Sequence, residues 1–172
     1  RITDIQDGKV DWNTVPSIDI SNEEKHKFIL EKGDIVFART GATTGKSYLM
    51  VNPENAVFAS YLIRVKCESS IILPAFLYLF FQSGVYWGLV NSGISGSAQG
   101  GFNASKLGKM TIHYPSDKNK QLEYISLIKS IRKPIEQLIF NYEKELENLE
   151  ELKKSILQKA FNGELTKKSV VA

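Results

Sequence analysis

Cysteine is almost missing from this chain of 172 residues, and a single Cys67 excludes an internal disulfide. Histidine is as scarce: His26 and His113 stand far apart, with no metal-ligand spacing and no basis for a Cys/His or Ser/His/Asp set. Long hydrophobic runs are absent as well. The longest, from Ile71 to Phe81, passes through Pro74 and reaches about half of the roughly 20 residues that a membrane-spanning helix needs. Excess charge of one sign is lacking too, since the net charge is +3 and acidic and basic side chains nearly balance before Pro115. Bulk electrostatics therefore gives no argument for nucleic acid, and any such binding has to come from local placement. Together these shortages point to a chain of a reducing, cytoplasmic setting without a metal or cofactor. The chain starts at Arg1 without methionine or leader and enters a strand-like Ile-Thr-Asp-Ile at once, so it reads as a fragment of something longer.

What is present begins with residues 33–47, GDIVFARTGATTGKS. They resemble a phosphate-binding loop until the spacing is counted. That loop places four residues between its first glycine and Gly-Lys-Ser, so that successive N–H groups curl around a phosphate. Here only Ala42, Thr43 and Thr44 separate Gly41 from Gly45. A strand, Ile35 to Ala38, remains, and it delivers Arg39, two threonines and Lys46 on a glycine-jointed turn that still suits an anion.

Hydrophobic residues make up 42% of the chain, enough to bury one sizeable core with an appendage. The organisation changes once, near Pro115. Before it, β-branched and aromatic segments between turn signals predict strands at Ile2 to Ile5, Ile35 to Ala38, Tyr48 to Val51 and Val57 to Val65, with a turn at Asp7-Gly8. Pro74 suits the first turn of a helix running toward Leu89, with Ser83-Gly84 an interruption. Its aromatics read as core; for Tyr86 and Trp87 the alternative is stacking on a displaced base. A polar, glycine-rich loop fills 91–106, and a last strand is expected from Met110 to Tyr114. The fold class is α+β: a mixed globular domain, then a long α-helix.

After Pro115 no glycine occurs until Gly163. Ser116 or Asp117 can cap a helix whose Leu122, Ile125, Ile128 and Ile131 recur every three residues. Pro134 predicts a break near Lys133 and a second helix running to about Phe161, stopped by Asn162-Gly163. Ile135, Tyr142, Leu149 and Ile156 form one seven-spaced row, and Ile139, Leu146, Lys153 and Ala160 the other. Such a stripe calls for a partner helix. Glutamates fill the middle of the helix and Lys153, Lys154 and Lys159 its end, which suits an antiparallel coiled coil; the alternative is that these charges form only a solvated face.

Four segments in order now form a pattern: RITDIQDGKVDW, GDIVFARTGATTGKS, GSAQGGFNASKLGKMTIHYPS and LKKSILQKAFNGEL. The pattern resembles the specificity subunit of type I restriction-modification systems, over nearly the whole chain. The resemblance implies one half of such a subunit: a target recognition domain at residues 1–116 that lacks its N-terminal edge, a helical spacer and dimerisation region at 117–166, and a tail at 167–172. It further implies a non-catalytic protein that reads one half of a split DNA target, while the helix sets half-site spacing. Its partners would be double-stranded DNA, a second half-subunit or homodimer partner, and methyltransferase subunits, with the restriction subunit reached through them. The residues agree with that restraint, since no base-methylation Asn-Pro-Pro-aromatic motif occurs and Asn52-Pro53-Glu54-Asn55 reads as a turn.

The candidate DNA contacts follow from side-chain chemistry. Arg39 suits a guanine edge or a phosphate, Lys46 a phosphate, and Thr40, Thr43 and Thr44 offer hydroxyls to either. The alternative is that the glycines serve only a tight turn and Arg39 pairs with Asp34. A second set comprises Gln99 and Asn103, whose amides match adenine, and Lys106 for a phosphate. Its alternative is a structural loop whose amides satisfy their own backbone. Two rivals of other classes are a coiled-coil oligomerisation module and a nucleotide-binding loop protein.

Overall fold

A computed structural model describes residues 1–6, 8–39, 43–53, 55–95 and 103–165, for 93–95 the backbone alone. It divides into two units, Arg1–Ile125 and Ser126–Ala172. Among the described residues, no helix is long and apolar enough to cross a membrane.

The first unit is built on β3, Ile35–Ala38, whose four residues are all buried. A short continuous apolar run of this kind is what a strand covered on both faces requires. Antiparallel neighbours flank it, β4 (Ser47–Leu49) and β5 (Leu62–Val65), in the order β4-β3-β5. Because successive side chains point to opposite faces, β3 feeds two cores. Ile35 and Phe37 pack with Leu77, Phe81, Tyr86, Val90 and Leu107. Val36 packs on the other side with Ile5, Leu30, Met50 and Leu62. The first of these cores rests on α2 (Pro74–Phe80) and α3 (Gly84–Ser95), separate helices as Ser83-Gly84 suggested. Phe37 meets Phe81 edge to face at 4.4 Å, a favourable geometry for aromatic quadrupoles.

Several expected strands come out differently. Ile2–Asp4 forms a 3-10 turn, and only Ile5–Gln6 (β1) pairs with Lys9–Val10 (β2); of the expected turn, Asp7 lies outside the described residues and Gly8 adopts φ +72°. Of 57–65 only β5 is strand, because a turn from Ala59 to Leu62 precedes it; Val57 makes one isolated bridge, to Ile29. Met110 to Tyr114 is not a strand. Met110 and Ile112 do pack on the core, so the alternation reported burial without a neighbouring strand to bond to. Two short helices lay outside the sequence reading. In α1 (Asn22–Phe28), Ser21 accepts from the Glu24 N–H and donates to the Glu24 carboxylate, a cap that Ser-x-x-Glu spacing announces. In α4 (Ala104–Gly108), Asn103 is the N-cap.

The expected break at Pro134 is also corrected: α5 runs from Lys118 to Phe161 with Pro134 inside it. The proline removes one N–H, the natural donor to the Ser130 carbonyl, and several uninterrupted turns on each side hold the helix over that local loss. Asp117 caps its start by accepting the Asn119 N–H at 2.8 Å. Its end is closed as expected: Gly163 adopts φ +72°, Glu164 donates to the Lys159 carbonyl, and Gly163 donates to that of Ala160. This is the paired-bond glycine stop of helix C-termini.

Candidate nucleic-acid interface

Antiparallel pairing brings three chain segments together at one end of the sheet: the end of β3 and the starts of β4 and β5. Ala38 donates to the Lys46 carbonyl at 2.9 Å, and Arg39 to the Tyr61 carbonyl at 3.2 Å. Arg39 is exposed, and among the described residues its guanidinium has no hydrogen-bond or ion-pair partner. The alternative pairing with Asp34 is not formed. Asp34 is buried, accepts the Glu31 N–H at 2.9 Å, and has the Arg64 guanidinium 3.9 Å away. Lys46 lies half-buried beside the same end.

The described end of the loop between β3 and β4, Thr43 to Lys46, is held by backbone bonds. Gly45 donates to the Ala38 carbonyl at 3.1 Å and Lys46 to that of Thr43 at 2.9 Å, so two N–H groups that a nucleotide cradle would use are already engaged. Gly45 has φ +87°, and a Cβ there would lie 2.8 Å from Val90 and 3.1 Å from Trp87. Its carbonyl accepts the fully buried Tyr86 hydroxyl at 2.7 Å, and burial pushes that phenol's pKa up. The loop is thereby clamped to α3, and both aromatics serve the core.

The remaining candidates differ in their surroundings. Thr44 is buried and Thr43 half-buried, while Thr40 and Gln99 lie outside the described residues, as does the 167–172 tail. Asn103 is exposed, but its side-chain oxygen accepts the Lys106 N–H at 2.9 Å, so half of the amide edge that adenine reading needs is held by the cap of α4. Lys106 is half-buried on that helix, which Leu107 ties to the core shared with Phe37.

Two residues that organise this unit left no local trace in the sequence. Gln121 in α5 is fully buried; its oxygen accepts the Leu73 N–H at 2.8 Å, and its amide donates to the carbonyls of Ile71 at 3.2 Å and Pro115 at 2.8 Å. Arg64 donates to the Ile29 carbonyl at 2.7 Å and lies over the Phe58 ring. Hydrogen-bond partners as far as 35 positions from Arg64 and 50 from Gln121 explain why pattern reading passes over both.

In the second unit, Ile135, Ile139, Tyr142, Leu146, Leu149 and Ile156 of α5 are 48–63% exposed. Leu138, Leu152 and Leu157 broaden that apolar stripe.

Residues 3–159 match the family described as the type I restriction modification DNA specificity domain. The chain belongs to this family. The match takes in the sheet end, the two cores and nearly all of α5. Specificity-domain relatives include the EcoKI specificity subunit of Escherichia coli K12, 26% identical, and the EcoBI specificity subunit of Escherichia coli, 28% identical. The StySPI specificity subunit of Salmonella potsdam is 24% identical. Each alignment covers 96% of this chain but only 35–37% of the relative, so the chain spans about a third of the length of these type I restriction enzyme subunits. No solved structure matches it.

Proposed function

We propose that this chain is a DNA-reading half of a type I restriction-modification specificity subunit, without catalysis of its own. The observation that carries the reading is the family match, which runs unbroken from the first strands into the long helix. In this reading the first unit contacts one half of a split target, with Arg39 and Lys46 facing the duplex from the end of the sheet. Arg39 takes a guanine edge or a phosphate and Lys46 a phosphate, while Thr43 and the half-buried Lys106 add a hydroxyl and a further cation.

The second unit supplies assembly. Its apolar stripe belongs against another helix in antiparallel register, which brings Lys153, Lys154 and Lys159 toward Glu136 and Glu143 of the partner. The partner is a second half, in the same chain or in another copy. Modification subunits bring the methyltransferase chemistry, and the restriction subunit joins through them. An oligomerisation module alone accounts for the stripe but leaves Arg39 without purpose. The test is methylation profiling of the host before and after deletion of this gene. Loss of methylation at one split motif with a fixed gap is expected, and loss of no motif, or of a contiguous one, contradicts the reading.

A further inference from the structure

Tyr61 stands apart from the other tyrosines around the sheet. Tyr48 is half-buried, Tyr78 donates to the Ser47 carbonyl and Tyr86 to that of Gly45. Tyr61 is 64% exposed, and its phenol has no hydrogen-bond partner among the described residues. One backbone bond at the end of the sheet fixes its position. Ala38 faces Leu62 as the last pair of β3 and β5; just beyond it Tyr61 lies in the turn that precedes β5, and its carbonyl accepts the Arg39 N–H at 3.2 Å. An exposed aromatic with a vacant donor is thus tied through its backbone to the residue that carries an unpaired guanidinium, with Lys46 at the same sheet end.

We propose that Tyr61 contacts DNA, its phenol hydroxyl donating to a backbone phosphate next to the group that Arg39 engages. The proposal rests on the DNA-recognition reading above. A tyrosine hydroxyl is a neutral donor: it fixes register on the duplex without reading sequence, and it releases no counterion of its own. Affinity and salt dependence consequently separate its role from that of a cation.

The experiment uses the full specificity subunit assembled with its modification subunits, wild type and Tyr61→Phe. Fluorescence anisotropy measures binding to a duplex carrying the methylated motif and to a scrambled duplex, across a salt series. Phenylalanine keeps the exposed ring and removes only the hydroxyl. Binding of Tyr61→Phe is expected to be about threefold to tenfold weaker on both duplexes, the range of one net hydrogen bond, with the salt slope unchanged. Affinity within a factor of about 1.5 of wild type overturns the proposal. A loss confined to the motif duplex also overturns it, because the hydroxyl would then be reading a base. If the wild-type complex itself shows no preference for the motif, the DNA-recognition reading fails and this assignment with it.

Discussion

Arg39 and Gln121 mark the two extremes of what a polar side chain does here. Arg39 is exposed and unpaired among the described residues. Gln121 is fully enclosed and uses its oxygen and its amide on three backbone groups of the first unit. Replacing it with a side chain of similar size that cannot bond would strand the Leu73 N–H and the carbonyls of Ile71 and Pro115. A buried group left without its partner costs about 1–3 kcal/mol, with carbonyls at the lower end. Gln121→Leu is thus expected to lower stability by roughly 2–4 kcal/mol, read as a drop in the urea midpoint at unchanged slope. A midpoint equal to wild type would show that water or a backbone shift satisfies those groups. At this scale the sequence was legible where chemistry is local: Arg39 and Lys46 announce themselves as cations on a glycine turn. Asn103 illustrates the opposite, since the amide that matches adenine on paper equally caps a helix three residues ahead.

Among elements, those whose signals lie within the segment were readable in advance. β3 emerges at its expected bounds because a short, fully apolar run has few other uses. The Asn162-Gly163 stop and the Asp117 cap did likewise. Met110 to Tyr114 was misread because alternation shows which side chains are buried, whereas a strand also needs a neighbour. Pro134 was misread because local proline chemistry competes with the long helix around it, and the helix prevails. The apolar stripe of α5 is the element with the largest unmet demand for cover. Placing a charge in its centre would desolvate a carboxylate against apolar side chains on pairing. The double variant Leu146→Asp/Leu149→Asp is expected to sediment as a monomer at concentrations where the wild-type chain self-associates. A wild-type chain that stays monomeric into the high micromolar range would contradict self-pairing through this face.

On the scale of the whole molecule, two units carry two different kinds of surface. The first presents cations and a free phenol at one end of a small sheet; the second presents an apolar stripe along a helix whose stretch from Ser126 to Phe161 rises roughly 54 Å. On the proposed reading, a DNA reader and an assembling rod are what a split target would require, since its halves would be recognised separately and held a fixed distance apart. The near-neutral net charge fits this division, because affinity then depends on where a few cations are placed rather than on their number. Relatives about three times longer leave room for a second reading half. The measurement that bears most directly on this division is the methylated motif of the assembled enzyme after residues 1–116 are exchanged for the corresponding stretch of a different specificity subunit. The expected result is replacement of one half of the motif with the gap and the other half retained. A motif unchanged by the exchange would contradict the assignment of DNA reading to this unit.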